Sequence, residues 1–431
     1  MPIFTENIQP DSLTGALFAI EGIKDACTVL NGPSGCKFYH SAISDSQYIR
    51  GLTFDPTRYL EDFFKGQPRI PATYLDGHDY VFGSSEKLTS LLRILMEKDF
   101  KLIAVVNSPG AALIGDNLEG FLEREVKGIP CFAIENTGYS GCFSDGYQKA
   151  IIKTLSAIEM KPRTVCEKTV NFLGLSIYQK HFKENYQALK ALLALCGVNV
   201  ICAPGAGDDV ETLKQITQAQ YNVAIFPEYA GQIAQWMEQL YGIPFISLEE
   251  GPPIGFDATA SFVKQICGKV DANPQPALER IDAARAKAYL HLARFSSLLG
   301  LPKGATFGIR AEASVCFTLA KWLANYLGMV PTAISVLPSQ EDTAMQKLLG
   351  FLADIDSLDV LENPIAETPM HILFADGSAI AGLRLRGKKV CGVELALPSL
   401  GYLDVTDKYI LGENGALFLL EQIMNGLRCL L

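Results

Sequence analysis

Several patterns that mark common classes of protein are missing from this sequence of 431 residues. It has no CxxC pair and no cysteine–histidine group at zinc-finger spacing, although it contains 11 cysteines and 5 histidines. A zinc site built from one short segment is therefore excluded. Any metal site must be assembled from distant segments of the chain or from two chains.

Clusters of basic residues and long apolar runs are also missing. The 37 Lys and Arg are outnumbered by 47 Asp and Glu, which gives a net charge of -10 and argues against a nucleic-acid partner. No run approaches the ~18 apolar residues of a membrane span. Residues 1–12 lack the basic and apolar regions of a secretory signal. We therefore expect a soluble, cytoplasmic protein with no membrane partner, whose cysteines stay reduced.

What the sequence does contain is apolar. Hydrophobic residues make up 48% and charged residues 19% of the chain, which predicts more apolar surface than a monomer needs. Oligomerisation is the expectation that follows. The length suggests roughly two to four domains, and three are expected.

Short apolar runs that end in Gly, Pro or Asn alternate with helical stretches. This alternation is typical of βαβ units, and it predicts an α/β protein with three Rossmann-like domains, each with a parallel sheet flanked by helices. The predicted strands are residues 27–30, 102–106, 131–134, 169–175, 198–202, 223–226, 244–246, 305–309 and 371–374. The predicted helices are residues 15–24, 85–98, 118–126, 184–195, 277–299 and 415–427. A polar linker at 268–276 helps to place the domains at residues 1–165, 166–275 and 276–431.

Two cysteines follow predicted strands of the first domain. Cys36 ends the run NGPSGC at a predicted helix start, where free backbone N–H groups favour the thiolate. It is a metal ligand or nucleophile, or only a small residue in a tight turn. Cys142 follows the strand 131–134 in the run NTGYSGC, on the same sheet edge, so the two thiols could meet at a metal; Cys142 could equally have no function. The remaining cysteines are interpreted as buried structural thiols: Cys27, Cys131, Cys166, Cys196, Cys202, Cys267, Cys316, Cys391 and Cys429.

These runs occur together with VFGSSEKL at 81–88, LIGDNLEGF at 113–121, YGIP at 241–244 and GYLDVTDKYILGENGALFLLEQIMN at 401–425. In this order they resemble the nitrogenase component 1 superfamily over nearly the whole chain, and its β-type subunit most of all. That family includes the dark-operative protochlorophyllide reductase and a nickel-tetrapyrrole reductase. The resemblance implies an oxidoreductase that works anaerobically and receives electrons from an ATP-dependent iron protein.

The resemblance also implies a set of cluster ligands. Cys36 falls on a cysteine that binds the interfacial cluster across much of the family, and Cys142 falls where the nitrogenase β subunit has a serine that can coordinate its cluster. Two further family cysteines fall at Asp11 and Pro109. A two-fold homodimer would bring four thiolates together, which suits a shared 4Fe-4S cluster or, with Asp11 as an oxygen ligand, a larger one. Asp11 is alternatively a helix N-cap or an exposed acid.

Other positions bear on the substrate. The cysteine that ties the molybdenum–iron cofactor falls near Phe226, which cannot ligate a metal, so no such cofactor is expected and an organic substrate is predicted between the domains. Polar residues near Cys36 are candidate proton donors or orienting groups, each with an ordinary surface role as the alternative: Lys37, His40, Arg50 and His78. Two other functions stay open, an assembly scaffold for a cluster or tetrapyrrole, and a β-type subunit that pairs with an α-type partner.

Overall fold

The computed structural model describes residues 10–36, 70–135, 141–340, 342–401 and 404–430. Its strands form three sheets in which every pair of neighbouring strands is parallel. Helices flank each sheet. The predicted α/β class with parallel sheets is therefore confirmed.

The first sheet has the strand order β1-β2-β3. Its strands are β1 (Ala26–Asn31), β2 (Leu102–Asn107) and β3 (Cys131–Ile134). The helices around it are α1 (Ser12–Glu21), α2 (Asp79–Phe82), α3 (Ser85–Met96), α4 (Pro109–Ala112), α5 (Leu118–Glu125) and α6 (Phe143–Ala157). Every residue of β1 and β2 is buried, as expected for parallel strands covered on both faces.

The second sheet has the order β5-β4-β6-β7. Its strands are β4 (Thr169–Leu173), β5 (Asn199–Val200), β6 (Tyr221–Ala224) and β7 (Phe245–Ser247). Its helices are α7 (Phe182–Ala194), α8 (Val210–Leu213), α9 (Pro227–Tyr241) and α10 (Phe256–Lys269), with a 3-10 turn at Ile216–Gln218. The predicted strand at 198–202 is shorter in the structure because only Thr169 and Val170 of β4 pair with it.

A long helix, α11 (Gln275–Leu299), leads into the third sheet, whose order is β11-β10-β8-β9. Its strands are β8 (Thr306–Ala311), β9 (Val330–Val336), β10 (Ile372–Asp376) and β11 (Cys391–Ala396). Its helices are α12 (Ala313–Leu327), α13 (Thr343–Asp354), α14 (Gly377–Leu385) and α15 (Gly412–Leu430), with a 3-10 turn at Leu358–Leu361.

The three sheets share one hydrophobic core. A single cluster of buried side chains contains Phe18 from α1, Phe172 from β4 and Phe307 from β8, each of them fully buried. The predicted domain boundaries at 165/166 and 275/276 separate the residues of the three sheets, and they stay a prediction.

Helices α1 and α6 approach each other at glycines. A Cβ atom on Gly15 of α1 would lie 2.0 Å from the Phe143 carbonyl oxygen, and one on Gly146 of α6 would lie 1.9 Å from the Ser12 carbonyl oxygen. Only glycine allows backbones this close. The contact holds the N-termini of the two helices, where Asp11 and Cys142 lie, side by side.

The structure corrects part of the interpretation of the cysteines. Cys166 and Cys429 are exposed, and Cys131 and Cys391 are half-buried, so only five of the nine structural candidates are buried. Cys166 lies in the connection before β4, and Cys429 lies at the end of α15, where one helix face meets water. Among the helices that the structure describes, none combines the length and hydropathy that crossing a bilayer requires.

Candidate functional site

Cys36 lies just beyond β1, in a helical turn at residues 34–36, and is half-buried. The end of the strand is fixed by a buried amide: Asn31 Nδ2 donates to Asn107 Oδ1 at 2.9 Å, and Thr73 Oγ1 donates to Asn31 Oδ1 at 2.9 Å. Burial, followed by the negative charge of Asp11, raises the pKa of the Cys36 thiol. The prediction that this position favours the thiolate is therefore wrong for the chain by itself, because burial outweighs the backbone N–H groups.

Cys142 is the N-cap of α6 and is half-buried. Its backbone N–H donates to Asp145 Oδ2 at 3.1 Å, and its Sγ donates to the same oxygen at 3.3 Å. Ser144 Oγ lies 3.1 Å from Sγ. The helix N-terminus thus holds the thiol in a fixed position, facing hydrogen-bonding side chains rather than the apolar core.

Asp11 joins the two cysteines. It is the N-cap of α1, and its Oδ1 accepts hydrogen bonds from Thr14 N and Thr14 Oγ1, both at 2.9 Å. Its backbone forms an isolated antiparallel bridge with Cys142, and its charge acts on Cys36. The structure therefore brings Cys36, Asp11 and Cys142 to one edge of the first sheet, and it confirms the N-cap role that was one of the two alternatives for Asp11.

These residues fit an iron–sulfur cluster as part of a donor set. Within the described residues, no group of three or more His, Cys, Asp or Glu side chains could hold a metal ion. Cys36 and Cys142 are both partly exposed, however, and thiolates are the usual ligands of such clusters. Two surface-accessible thiols in each chain suit a site that is completed by a second chain.

The other predicted site residues are distributed differently. Lys37, His40 and Arg50 lie outside the described residues and stay predictions. His78 is exposed in the turn before α2, and its ring lies 4.5 Å from that of Phe82. The structure does not place His78 in the cavity next to the cysteines.

Tyr80 is a neighbour of Cys36 that sequence reasoning missed. Burial, followed by the charge of Cys36, raises the pKa of its hydroxyl. Its hydroxyl oxygen would lie 2.9 Å from a Cβ atom on Gly110, so the loop after β2 also borders this edge. The only sequence signal for Tyr80 is its position two residues after His78.

A cavity of about 970 Å³ lies between α1 and the carboxyl ends of the strands of the third sheet. Asp11, Thr14 and Phe18 form its wall on the side of α1. On the opposite side, Arg310 Nη1 forms an ion pair of 2.6 Å with Asp376 Oδ2. Apolar side chains complete the lining, among them Ile334, Val336, Met345, Leu361, Ile365 and Leu383. The volume is at the upper end of the usual range for small-molecule sites, about 300–1,000 Å³.

Phe226 is 4% exposed and is the N-cap of α9. Its apolar side chain packs in the core. The described part of this position therefore offers no metal ligand, in agreement with the chemistry of its residue type.

Comparison with known proteins gives a consistent result. The family described as nitrogenase component 1 type oxidoreductase matches residues 12–428. One subunit of the light-independent protochlorophyllide reductase of Chlorobium luteolum is 24% identical over 360 residues, 78% of this chain and 64% of that protein. The nitrogenase iron-molybdenum cofactor biosynthesis protein NifE of Clostridium pasteurianum is 26% identical over 239 residues, 54% of this chain and 48% of that protein. The chain thus spans less than two thirds of the length of these relatives.

The fold has a close match among solved structures. Nitrogenase Cp1 at pH 6.5 superposes with a TM-score of 0.76 and 16% identity, covering 98% of this chain and 93% of that chain. A second structure of nitrogenase Cp1, at pH 5, gives a TM-score of 0.72 and 19% identity, covering 98% and 88% of the two chains. At these identities the likeness shows a shared fold.

Proposed function

The chain belongs to the nitrogenase component 1 type oxidoreductases, and we propose that it is the cluster-binding component of a reductase whose electrons come from an ATP-dependent iron protein. Its substrate is organic, and the reaction takes place in the cavity between α1 and the third sheet.

One observation carries this proposal. Asp11 forms a backbone bridge with Cys142 and also lines the cavity of about 970 Å³. The thiols and the cavity are therefore separated by little more than one residue. A thiolate-ligated cluster, when bound, supplies single electrons at low potential. Electron transfer from the proposed ligand residues to a molecule in the cavity crosses a short distance.

The residues of this chain have separate tasks in the proposed reaction. Cys36 and Cys142 hold the cluster, and the N-terminus of α6 fixes the Cys142 thiol through Asp145. The cavity binds and orients the substrate, and its apolar wall excludes water from the reduced molecule. The Arg310–Asp376 ion pair offers a polar anchor for a substituent of the substrate.

An organic substrate suits this cavity better than a metal cofactor. Apolar side chains dominate the lining, and the position of Phe226 offers no ligand atom. One similar protein is named as part of a protochlorophyllide reductase, which acts on a large conjugated organic molecule according to its name. We therefore propose no molybdenum–iron cofactor for this chain.

Two chains complete the proposed site. A homodimer with its two-fold axis beside Cys36 and Cys142 provides four thiolates for one 4Fe-4S or larger cluster. Alternatively, an α-type partner provides the missing ligands, in which case this chain is the β-type half of a heterodimer. The similar protein from the protochlorophyllide reductase is named as one of several subunits, which favours such a partner.

The first test is the amount of iron and acid-labile sulfide per chain, with EPR after dithionite reduction, on anaerobically purified protein. We expect wild type to bind a cluster after reconstitution, and Cys36→Ala and Cys142→Ala to lose it. Cys166→Ala is the matched control, because Cys166 is exposed and lies in the connection before the second sheet. Wild-type protein that stays free of iron when purified alone contradicts the homodimer and leaves the heterodimer to be tested by co-expression.

A second candidate function is an assembly scaffold for a cluster or tetrapyrrole. The similarity to the cofactor biosynthesis protein NifE favours it. The two functions differ in turnover: a reductase given its iron protein and ATP forms a reduced small molecule repeatedly. A scaffold releases its bound metal group to an acceptor protein and forms no such product.

A further inference from the structure

Two carboxyl side chains are buried where the N-termini of α9 and α12 meet. Glu228 is the second residue of α9, and Glu312 is the N-cap of α12. Their exposed fractions are 2% and 7%. Carboxyl groups are rarely buried to this extent, and a buried pair of the same charge requires a physical explanation.

Each carboxyl group has its own hydrogen-bond donors. Ser314 N donates to Glu228 Oε1 and Ser314 Oγ donates to Glu228 Oε2, both at 2.7 Å. The Tyr229 hydroxyl donates to Glu312 Oε1. The hydrogen bonds of Cys142 are with other residues, Ser144 and Asp145. The carboxyl pair is thus a feature separate from the proposed cluster ligands.

The charges around the pair do not neutralise it. Arg310 is the cation among the described groups whose charges reach this region, and it already forms an ion pair with Asp376. The titratable and charged neighbours are Tyr178, Tyr229, Cys316, Asp376 and Arg310. Since the carboxyl groups lack a cation of their own, ionising both of them is unfavourable.

The proton affinity of the pair is consistent with this arrangement. Burial, followed by the charge of Glu312, raises the pKa of Glu228 to about 7. Burial also raises the pKa of Glu312, against the hydrogen bond from Tyr229. The two groups interact, so their titration belongs to the pair rather than to either residue.

The pair lies between the thiol site and the large cavity. A narrow cavity of about 20 Å³, large enough for roughly one water molecule, is lined by Cys142, Tyr178, Glu228, Tyr229 and Glu312. Tyr178 also lines the cavity of about 970 Å³. The phenol of Tyr178 therefore stands between the carboxyl pair and the space proposed for the substrate.

We propose that Glu228 and Glu312 hold one shared proton and deliver it through Tyr178 to the substrate during reduction. This inference rests on the proposed function. Reduction of one double bond consumes two electrons, which the iron protein supplies, and two protons. The pair gives one proton and is left with both carboxylates ionised. Water supplies the second proton and then reprotonates the pair.

The shared proton is tested first on the chain without a cluster, by infrared difference spectroscopy during a pH titration. We expect a protonated carboxyl signal that disappears with a midpoint near pH 7, and that is lost in Glu228→Gln. Tyr229→Phe removes a donor to ionised Glu312, so the midpoint shifts upward. Tyr186→Phe is the matched control, because this tyrosine hydrogen-bonds a different acid, Asp208, at 3.2 Å. No carboxyl signal near neutral pH, or one that survives in Glu228→Gln, overturns the inference.

Delivery of the proton is tested on the assembled enzyme with its iron protein and ATP. Glu228→Gln is expected to lower kcat at least about tenfold, the lower range for a lost proton donor, with KM and iron content unchanged. Tyr229→Phe folds without loss of a charge and is expected to move the alkaline limb of the pH–kcat profile upward. An unchanged profile in both variants overturns the inference while the reductase function stands. A wild-type chain that binds no iron and forms no product overturns the proposed function, and proton delivery with it.

Discussion

His181 is a buried histidine with left-handed backbone geometry. It precedes α7 with φ +58°, its side chain is 8% exposed, and its Nε2 lies 3.9 Å from Asp404 Oδ1. Burial lowers its pKa to about 4, although the charge of Asp404 opposes this shift. The folded chain therefore binds this proton more weakly than the unfolded chain. The stability that neutral His181 provides is present above about pH 6.5 and is lost as the pH falls toward 4.

Glu228 has the opposite effect on stability. Its pKa is raised to about 7, so the folded chain binds this proton more tightly than the unfolded chain. Its contribution is present below about pH 4.5 and is lost as the pH rises through 7. Between pH 7 and pH 5 each residue changes the free energy of unfolding by about 2 kcal/mol, in opposite directions.

Single variants should therefore reveal slopes that cancel in wild type. We expect His181→Asn, which keeps a residue tolerant of left-handed geometry, to become more stable by about 2 kcal/mol on going from pH 7 to pH 5. Glu228→Gln should become less stable by about the same amount. Urea unfolding at the two pH values measures both. Equal changes in the two variants would show that neither residue sets the pH dependence.

At the scale of residues, the sequence placed the thiols but not their electrostatics. Cys36 and Cys142 could be assigned to one sheet edge because each follows a strand of the same sheet. The raised pKa of Cys36 depends on burial and on Asp11, which are set by tertiary packing. Glu228 and Glu312 gave no sequence signal, because they are 84 residues apart and meet only where two helices converge.

Helices α1 and α6 depend on glycine for their contact, and this gives a prediction at the scale of elements. Gly146→Ala places a Cβ atom 1.9 Å from the Ser12 carbonyl oxygen, so the helices must separate. We expect a loss of stability of about 3 kcal/mol, in the range of overpacked cores, together with loss of the bridge between Asp11 and Cys142. Thermal unfolding and the yield of reconstituted cluster measure the two effects.

Gly231→Ala is the control for this prediction. Gly231 lies inside α9, and a Cβ atom there would meet nothing within 4 Å. Alanine has the better helix propensity, so this variant should gain about 0.5–1 kcal/mol. If Gly146→Ala behaved like Gly231→Ala, the close approach of α1 and α6 would not be needed for the site.

The elements themselves were predicted unevenly. Strand 131–134 has the predicted bounds, because an apolar run between turn residues has a clear signature. The first helix begins at Ser12 rather than at the predicted residue 15, since Asp11 caps it and Gly15 lies within it. Much of the third sheet, including β9 and β11, was not predicted. Their pairing with β8 and β10 depends on contacts between distant segments.

At the scale of the whole molecule, a buried lysine ties the second sheet to the third. Lys180 Nζ lies 3.4 Å from Glu394 Oε2 and also pairs with Asp404, while its backbone N–H donates to the Leu395 carbonyl oxygen at 2.9 Å. Both Lys180 and Glu394 side chains are 3% exposed. Leu397, just beyond β11, lines the large cavity, so this tie also positions one wall of the proposed substrate site.

We expect Lys180→Met to lower the free energy of unfolding by about 3 kcal/mol, because it leaves Glu394 buried without its cation. Lys101→Met is the control, since the Lys101–Asp99 pair is on the surface with side chains 52% and 91% exposed, and no measurable loss is expected there. Urea unfolding followed by circular dichroism measures both variants.

The double variant Lys180→Met/Glu394→Gln separates two explanations of that loss. If the loss comes from an uncompensated buried charge, neutralising Glu394 should recover most of it, because Ser399 and Leu400 still donate to the side chain. Asp404 keeps a partner in Lys408 at 2.9 Å, so it adds little to the difference. If the double variant is instead less stable than either single variant, the ion pair itself holds the second and third sheets together. The wall of the cavity at Leu397 would then be positioned by charge rather than by apolar packing.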